Sequence, residues 1–460
     1  MQYLDKQIAI LGLGLETLDL IFWLKKHHPK VKLTVFDQKT RLELKSELNK
    51  LKKFKNISYS LEESCLDRGL TDFDIIFRSP GVHRLHPAIL KAEKKGIEIS
   101  SPTKLFFDLC PCPIIGVTGT KGKGTTTTLI GQILQTPGKT AYIAGNIGKP
   151  TLQLLDKLKS QDIVCLELSS FQLQDLTKSP YLAVILNITS EHLDVHKTIQ
   201  EYRQAKQNIV THQTKNDLVV INADYPIPKT LAKKTKAQVY WFSRHQKVNG
   251  CFVKDKQIIL NLNDRQQVIG QTDHLLLRGE HNWENITAAV TAAKLAGASL
   301  SAIKKAVFSF KGLEHRLELV GQVKGIKFYN DSFSTTPETV IAALKSFTEP
   351  TIIILGGSSK GSDYTQLGQE IVKSPNLKTI ILIGHMASQI TAAIKKAGGF
   401  SGKTIKNLKT MKQIVVTAYQ NAQPGHVVVL SPACASFDMF KNYKDRGQQF
   451  KQAVKNLTHA

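Results

Sequence analysis

Short apolar runs alternate along this chain with longer stretches in which apolar residues recur every three or four positions, the pattern of buried strands and amphipathic helices in turn. From residue 7 to about 100 the strand-like runs are 7–13, 31–37, 73–77 and 97–100, and the lysine-rich stretch 45–55 between them reads as a solvated helix. Prolines 102, 111 and 113 punctuate the change to a second series, with strands expected at 113–117, 141–144, 163–168, 182–187 and 218–222. A hairpin-like pattern covers 248–261, and a helix is expected over 282–295. After Gly312 the alternation restarts, with strands at 327–329, 351–355, 379–383 and 427–430. The fold class is therefore α/β, in three domains expected at 1–105, 106–312 and 313–460.

At 460 residues and 42% hydrophobic content the chain can bury several cores, and no apolar run approaches the roughly 20 residues that cross a bilayer. The six scattered cysteines lack metal-site spacing, so a reducing, cytoplasmic setting is expected. A net charge of +25 suits either nucleic acid or a substrate rich in phosphates and carboxylates, and the even spread of lysines favours the second.

Residues 116–128, GVTGTKGKGTTTT, follow an apolar strand and open a helix. Glycines there let backbone N–H groups converge on phosphate, and Lys123 adds a point charge at the helix N-terminus. Gly119, Thr120, Lys121, Gly122, Lys123, Gly124 and Thr125 are the expected ATP-binding loop. Gly124 stands where such loops place a magnesium-binding hydroxyl, and Thr125, one position later, or a water molecule is the expected replacement. Glu167 ends an apolar strand, where a carboxylate needs a partner, either a salt-bridging cation or, the favoured reading, magnesium. In the first series Gly12 and Gly14 follow strand one and Asp37 ends strand two, as in a dinucleotide fold, although Thr17 replaces the third glycine. Polar clusters at 279–285, 315–316, 330–336 and 431–438 are either helix caps or parts of a second-substrate cleft.

In order and spacing, the motifs LSSFQL at 168–173, HLD at 192–194 with Tyr202 and Lys206, His281-Asn282, NDS at 330–332 and SPACASFD at 431–438 resemble those of the Mur ligases of peptidoglycan synthesis. The likeness runs over essentially the whole chain and is strongest to the branch that joins glutamate to UDP-N-acetylmuramoyl-L-alanine. It implies a Rossmann-like N-terminal domain for the UDP-sugar, a central P-loop ATPase domain with a parallel sheet, and a Rossmann-like C-terminal domain for the amino acid.

Carried over by position, the resemblance implies that Lys123, Glu167, His192 and Lys206 are catalytic. Magnesium would be held by Glu167, His192, Thr125 and Lys206 as a carbamate, a change that turns a cation into a carboxylate. Asn282, Asn285, Arg316 and Asp331 would join the ATP site; Leu15, Asp37, Ser79, Gly81 and Asn146 the UDP-substrate site; and Thr335, Lys360, Ser436, Phe437 and Tyr443 the amino-acid site. The implied substrates are ATP, glutamate and UDP-N-acetylmuramoyl-L-alanine, with Mg2+ as cofactor, a monomeric enzyme, and neither nucleic acid nor membrane as partner.

Several residues depart from the family pattern, Thr336-Pro337 in place of a customary Asn among them. Phe333 replaces a customary Lys, Tyr443 a common Phe, and Glu16 a small or hydroxyl residue of the uridine-site loop. The stretch DSFSTTP at 331–337 resembles a variant branch that attaches L-glutamate, so either isomer is an expectation. Competing readings are a ligase that extends folate, against which the SSFQL motif speaks, and a basic nucleotide-binding protein without catalysis.

Overall fold

A computed structural model describes residue 3 and residues 6–136, 140–146, 150–189 and 198–457. The first sheet is parallel throughout, in the order β3-β2-β1-β4-β5, from β1 (Gln7–Leu11), β2 (Lys32–Asp37), β3 (Ile57–Leu61), β4 (Ile75–Arg78) and β5 (Glu98–Ser100). This is the strand order of a dinucleotide fold, and the turns after β1 and β4 lie side by side at the carboxyl edge, where such sheets bind ligands.

The second sheet comprises β6 (Ile114–Thr118), β7 (Ala141–Gly145), β8 (Ile163–Glu167), β9 (Leu182–Ile185), β10 (Leu218–Asn222), β11 (Gln238–Ser243), β12 (Gly250–Lys254), β13 (Gln257–Leu262) and β14 (Arg265–Gln271). Its order is β14-β13-β12-β11-β10-β9-β6-β8-β7. The expected parallel sheet runs from β7 through β12, and the hairpin-like pattern at 248–261 is β12 with β13, which with β14 pair antiparallel. The cause is local: Asp255-Lys256 and Asn263-Asp264 all have positive φ, between 48° and 60°, which gives tight two-residue hairpins matching strand twist.

The third sheet is built from β15 (Glu318–Val323), β16 (Ile326–Asn330), β17 (Thr351–Gly356), β18 (Leu377–Ile383), β19 (Lys403–Ile405) and β20 (Val427–Leu430), in the order β15-β16-β20-β17-β18-β19. Only β15 runs antiparallel to its neighbour.

By compactness the chain divides into one unit of Met1–Thr272 with Glu284–Val307 and another of Asp273–Trp283 with Phe308–Ala460. The first two sheets share a unit because a single core joins them. Ile8, Ile10 and Phe77 of the first sheet and Val164, Leu166 and Ile185 of the second belong to it, together with Leu105 and Phe106 of the helix Pro102–Leu109. That helix starts on a Ser101 cap, whose Oγ accepts from Lys104 N at 3.1 Å, with Pro102 in its first turn.

Candidate active site

The phosphate loop leaves β6 and enters the helix Lys123–Leu134 through Gly122, which caps the helix at φ 86°. A Cβ at Gly122 would lie 2.1 Å from Asn285 Oδ1, and one at Gly119 would lie 2.7 Å from the Leu186 Cβ, so the close approach as well as φ demands glycine. Lys123 folds back on its own loop, its Nζ donating to the carbonyls of Gly119 and Thr120 at 3.2 and 3.0 Å. Thr120 is tied to the Tyr202 hydroxyl at 3.0 Å and Thr126 to Asn285 at 3.3 Å. Thr125 is buried in the first turn, while Lys121 is exposed.

Beside the loop, β8 pairs with β6 so that Glu167 sits opposite Val117. The buried Glu167 carboxylate accepts from Asn146 Nδ2 at 3.0 Å, which brings together the expected magnesium ligand and a residue expected at the UDP-substrate. The turn after β8 is a capping box: Ser169 Oγ accepts from Gln172 N, and Gln172 Oε1 accepts from Ser169 N at 2.9 Å. Lys206, on the helix Ile199–Thr211, is only 1% exposed and donates to Gly119 O at 2.9 Å and Thr118 Oγ1 at 3.3 Å. Lys123, Glu167, Lys206, Thr125 and Asn285 thus surround one loop. Residues 190–197, and with them His192, lie outside the described residues. Glu167 and the Thr125 hydroxyl are hard oxygen donors of the kind Mg2+ takes, and the Asn146 bond leaves further lone pairs on the Glu167 carboxylate.

At the edge of the first sheet, Gly12 at φ 80° lies against Ser79 and Val82, and Thr17 Oγ1 donates to Gly12 O at 2.6 Å. The missing third glycine is thereby explained, since Thr17 pins the turn by its hydroxyl. Asp37 spends its carboxylate on backbone, accepting from Leu13 N at 2.7 Å and Lys39 N at 2.9 Å. Leu15 and Gly81 are exposed and Ser79 is half-buried, so the rim is open to a ligand.

Sequence reasoning passed over Arg78 and marked Glu16 only as a departure, yet both tie this edge to residues that follow β8. Arg78, fully buried, donates to Asp175 at 2.6 and 2.9 Å, to Phe171 O at 2.8 Å and to Val82 O at 2.6 Å. Glu16 accepts from Gln172 Nε2 at 2.7 Å, and burial pushes its carboxyl up to about 7, although Gln172, Thr103 and Arg78 each pull it down. A lone arginine at a strand end carries no sequence signal of such a role; the only hint was that it precedes a Ser-Pro-Gly turn.

In the second unit, Asp331 follows β16 and is buried, accepting from Leu317 N at 3.1 Å and Ser431 Oγ at 2.7 Å. Burial pushes its carboxyl up to about 6. Lys360 Nζ donates to Thr335 Oγ1 at 3.1 Å, and Phe437, 73% exposed, donates its backbone N–H to Ser358 Oγ at 3.1 Å. Ser436 is buried in the same turn. Asn282 donates to Arg278 O at 2.6 Å. Another overlooked arginine, Arg446 on the helix Tyr443–Leu457, is buried against Ser332 and the carbonyls of Ser332, Cys434 and Ala435, at 2.9 to 3.3 Å. It joins the 331–336 turn to the 431–438 turn, and nothing in an amphipathic helix marks one arginine for that.

Family models match the three regions in order: a MurD-like N-terminal domain over residues 6–101, a Mur ligase middle domain over 117–293, and a Mur ligase glutamate ligase domain over 315–434. The chain is 41% identical over 458 residues to the UDP-N-acetylmuramoylalanine–D-glutamate ligase of Acetivibrio thermocellus, covering 98% of this chain and 97% of that one. It is 39% identical to the enzyme of the same name from Symbiobacterium thermophilum, over 99% of each chain. Among solved structures, the MurF ligase of Thermotoga maritima in complex with ADP shares the fold at a TM-score of 0.58 and 16% identity, over 93% of this chain and 95% of that one. The three α/β sheets, the loop architecture and full-length similarity at this level place the chain in the Mur ligase family, among the UDP-N-acetylmuramoylalanine–D-glutamate ligases.

Proposed function

We propose that this chain joins D-glutamate to UDP-N-acetylmuramoyl-L-alanine at the expense of ATP. Its relatives, similar over their full length, carry that name. The single structural observation that carries the reading is the crowding of Lys123, Glu167 and Lys206 about one phosphate loop. The alanyl carboxylate attacks the γ-phosphorus and ADP leaves; the glutamate amine then attacks the acyl carbon, phosphate leaves, and an amide remains. Backbone N–H groups of residues 119–124 and the Lys123 ammonium, swung off its own carbonyls, offset charge on the transferring phosphoryl group. Glu167, His192, Thr125 and a carbamylated Lys206 would hold Mg2+, which supplies further charge neutralisation when bound.

We take the domains to be 1–105, 106–312 and 313–460. Leu15, Asp37, Ser79, Gly81 and Asn146 serve the UDP-substrate, Asn282, Asn285, Arg316 and Asp331 the nucleotide, and Thr335, Lys360, Ser436, Phe437 and Tyr443 the amino acid. We take the enzyme to be a cytoplasmic monomer. Phosphate release from ATP in the presence of Mg2+ and the UDP-substrate, with D- or L-glutamate supplied separately, tests the reading. Stimulation by D-glutamate is expected. Stimulation by L-glutamate alone would move the chain to the variant branch suggested by Phe333, and stimulation by neither would end the ligase reading. Lys206→Ala should remove most activity, whereas Lys360→Ala should chiefly raise KM for glutamate; steady-state kinetics of both variants decide this.

A further inference from the structure

Phe333 is an exposed aromatic residue in a turn of polar ones, 39% accessible, and its ring is occupied on one face. The Arg316 guanidinium carbon lies 3.9 Å from the ring centroid, and Tyr443 meets the same ring edge-on at 5.1 Å. The backbone around Arg316 is arranged for that contact. His315 and Leu317, on either side of it, both have positive φ, 65° and 44°, which costs a non-glycine residue energy and persists only where the surroundings impose it. They are imposed here by two bonds from the turn that carries Phe333: His315 O accepts from Phe333 N at 3.0 Å, and Leu317 N donates to the Asp331 carboxylate at 3.1 Å. Two residues further on, Thr335 holds the Lys360 ammonium. The segment 333–335 therefore carries a cation at each end, one on a ring and one on a hydroxyl.

We propose that Phe333 is a positioning residue, whose ring fixes the plane of the Arg316 guanidinium for its role at the nucleotide. An aromatic face suits the task because it attracts a guanidinium without competing for its five N–H donors. An apolar residue in place of a cation thus recruits a cation from the neighbouring turn. The inference rests on the nucleotide role proposed for Arg316.

The test is ADP affinity of the full chain by titration calorimetry, with Mg2+ present, for Phe333→Leu, Phe333→Tyr, Arg316→Ala and the double variant Phe333→Leu/Arg316→Ala. Phe333→Leu should bind ADP about 3- to 10-fold more weakly, with KM for ATP rising in step and KM for glutamate unchanged. Phe333→Tyr should bind as the native protein does, and Phe333→Leu should cost nothing more once Arg316 is gone. Unchanged ADP affinity in Phe333→Leu, an equal loss in the Arg316→Ala background, or a rise confined to KM for glutamate would each overturn the proposal. Native protein that binds ADP but releases no phosphate would end the ligase reading and leave this one standing.

Discussion

Glu16 is a carboxyl group that the fold prefers to keep protonated. Burial raises it from 4.5 to about 7, so the folded chain binds this proton more tightly than the unfolded chain does. Its contribution to stability is then fully present below about pH 4.5 and is lost as pH rises towards 7. Glu16→Gln, which keeps the size of the group and removes its titration, should flatten that part of the profile; urea unfolding of both proteins across this range measures the difference. Lys123 and Glu167 were picked out by local signals, a glycine loop after a strand and an acidic strand end, whereas Lys206 was picked out only through the family resemblance. Phe333 was legible only as a departure, since its use depends on Arg316, 17 positions earlier.

Turns and buried pairs carry the next level. Gly122→Ala places a methyl group against Asn285 and forces a left-handed φ on alanine, so a loss of more than about 1 kcal/mol of stability is expected, together with weaker ADP binding. Thermal unfolding with and without ADP separates the two effects. The Arg78–Asp175 pair joins the end of β4 to the segment just past the helix Ser170–Leu173, and both side chains are at most 1% exposed. Asp175→Asn leaves a guanidinium buried without its countercharge and should cost about 3 kcal/mol by urea denaturation. The strands β1, β10 and β20 were readable as continuous apolar runs, because buried parallel strands need no polar face. β3, β14, β15 and β19 were not, since each lies at a sheet edge with mixed polarity and is selected by its neighbour.

Over the whole molecule, a charge of +25 acts on substrates that carry phosphates and carboxylates. Screening shortens to about 3 Å at 1 M salt, so kcat/KM for the UDP-substrate should fall several-fold between low and high ionic strength, while kcat changes less. Initial rates over a salt series provide the measurement, and a flat series would mean that the lysines act only as a solvated surface. Local order along the chain was enough to specify three α/β sheets and the phosphate loop, because strand, turn and helix signals lie within a few residues of one another. Long-range packing alone chose which arginines are buried and that Phe333 carries Arg316. Those choices depend on contacts between residues far apart in sequence, which side-chain type and spacing do not encode.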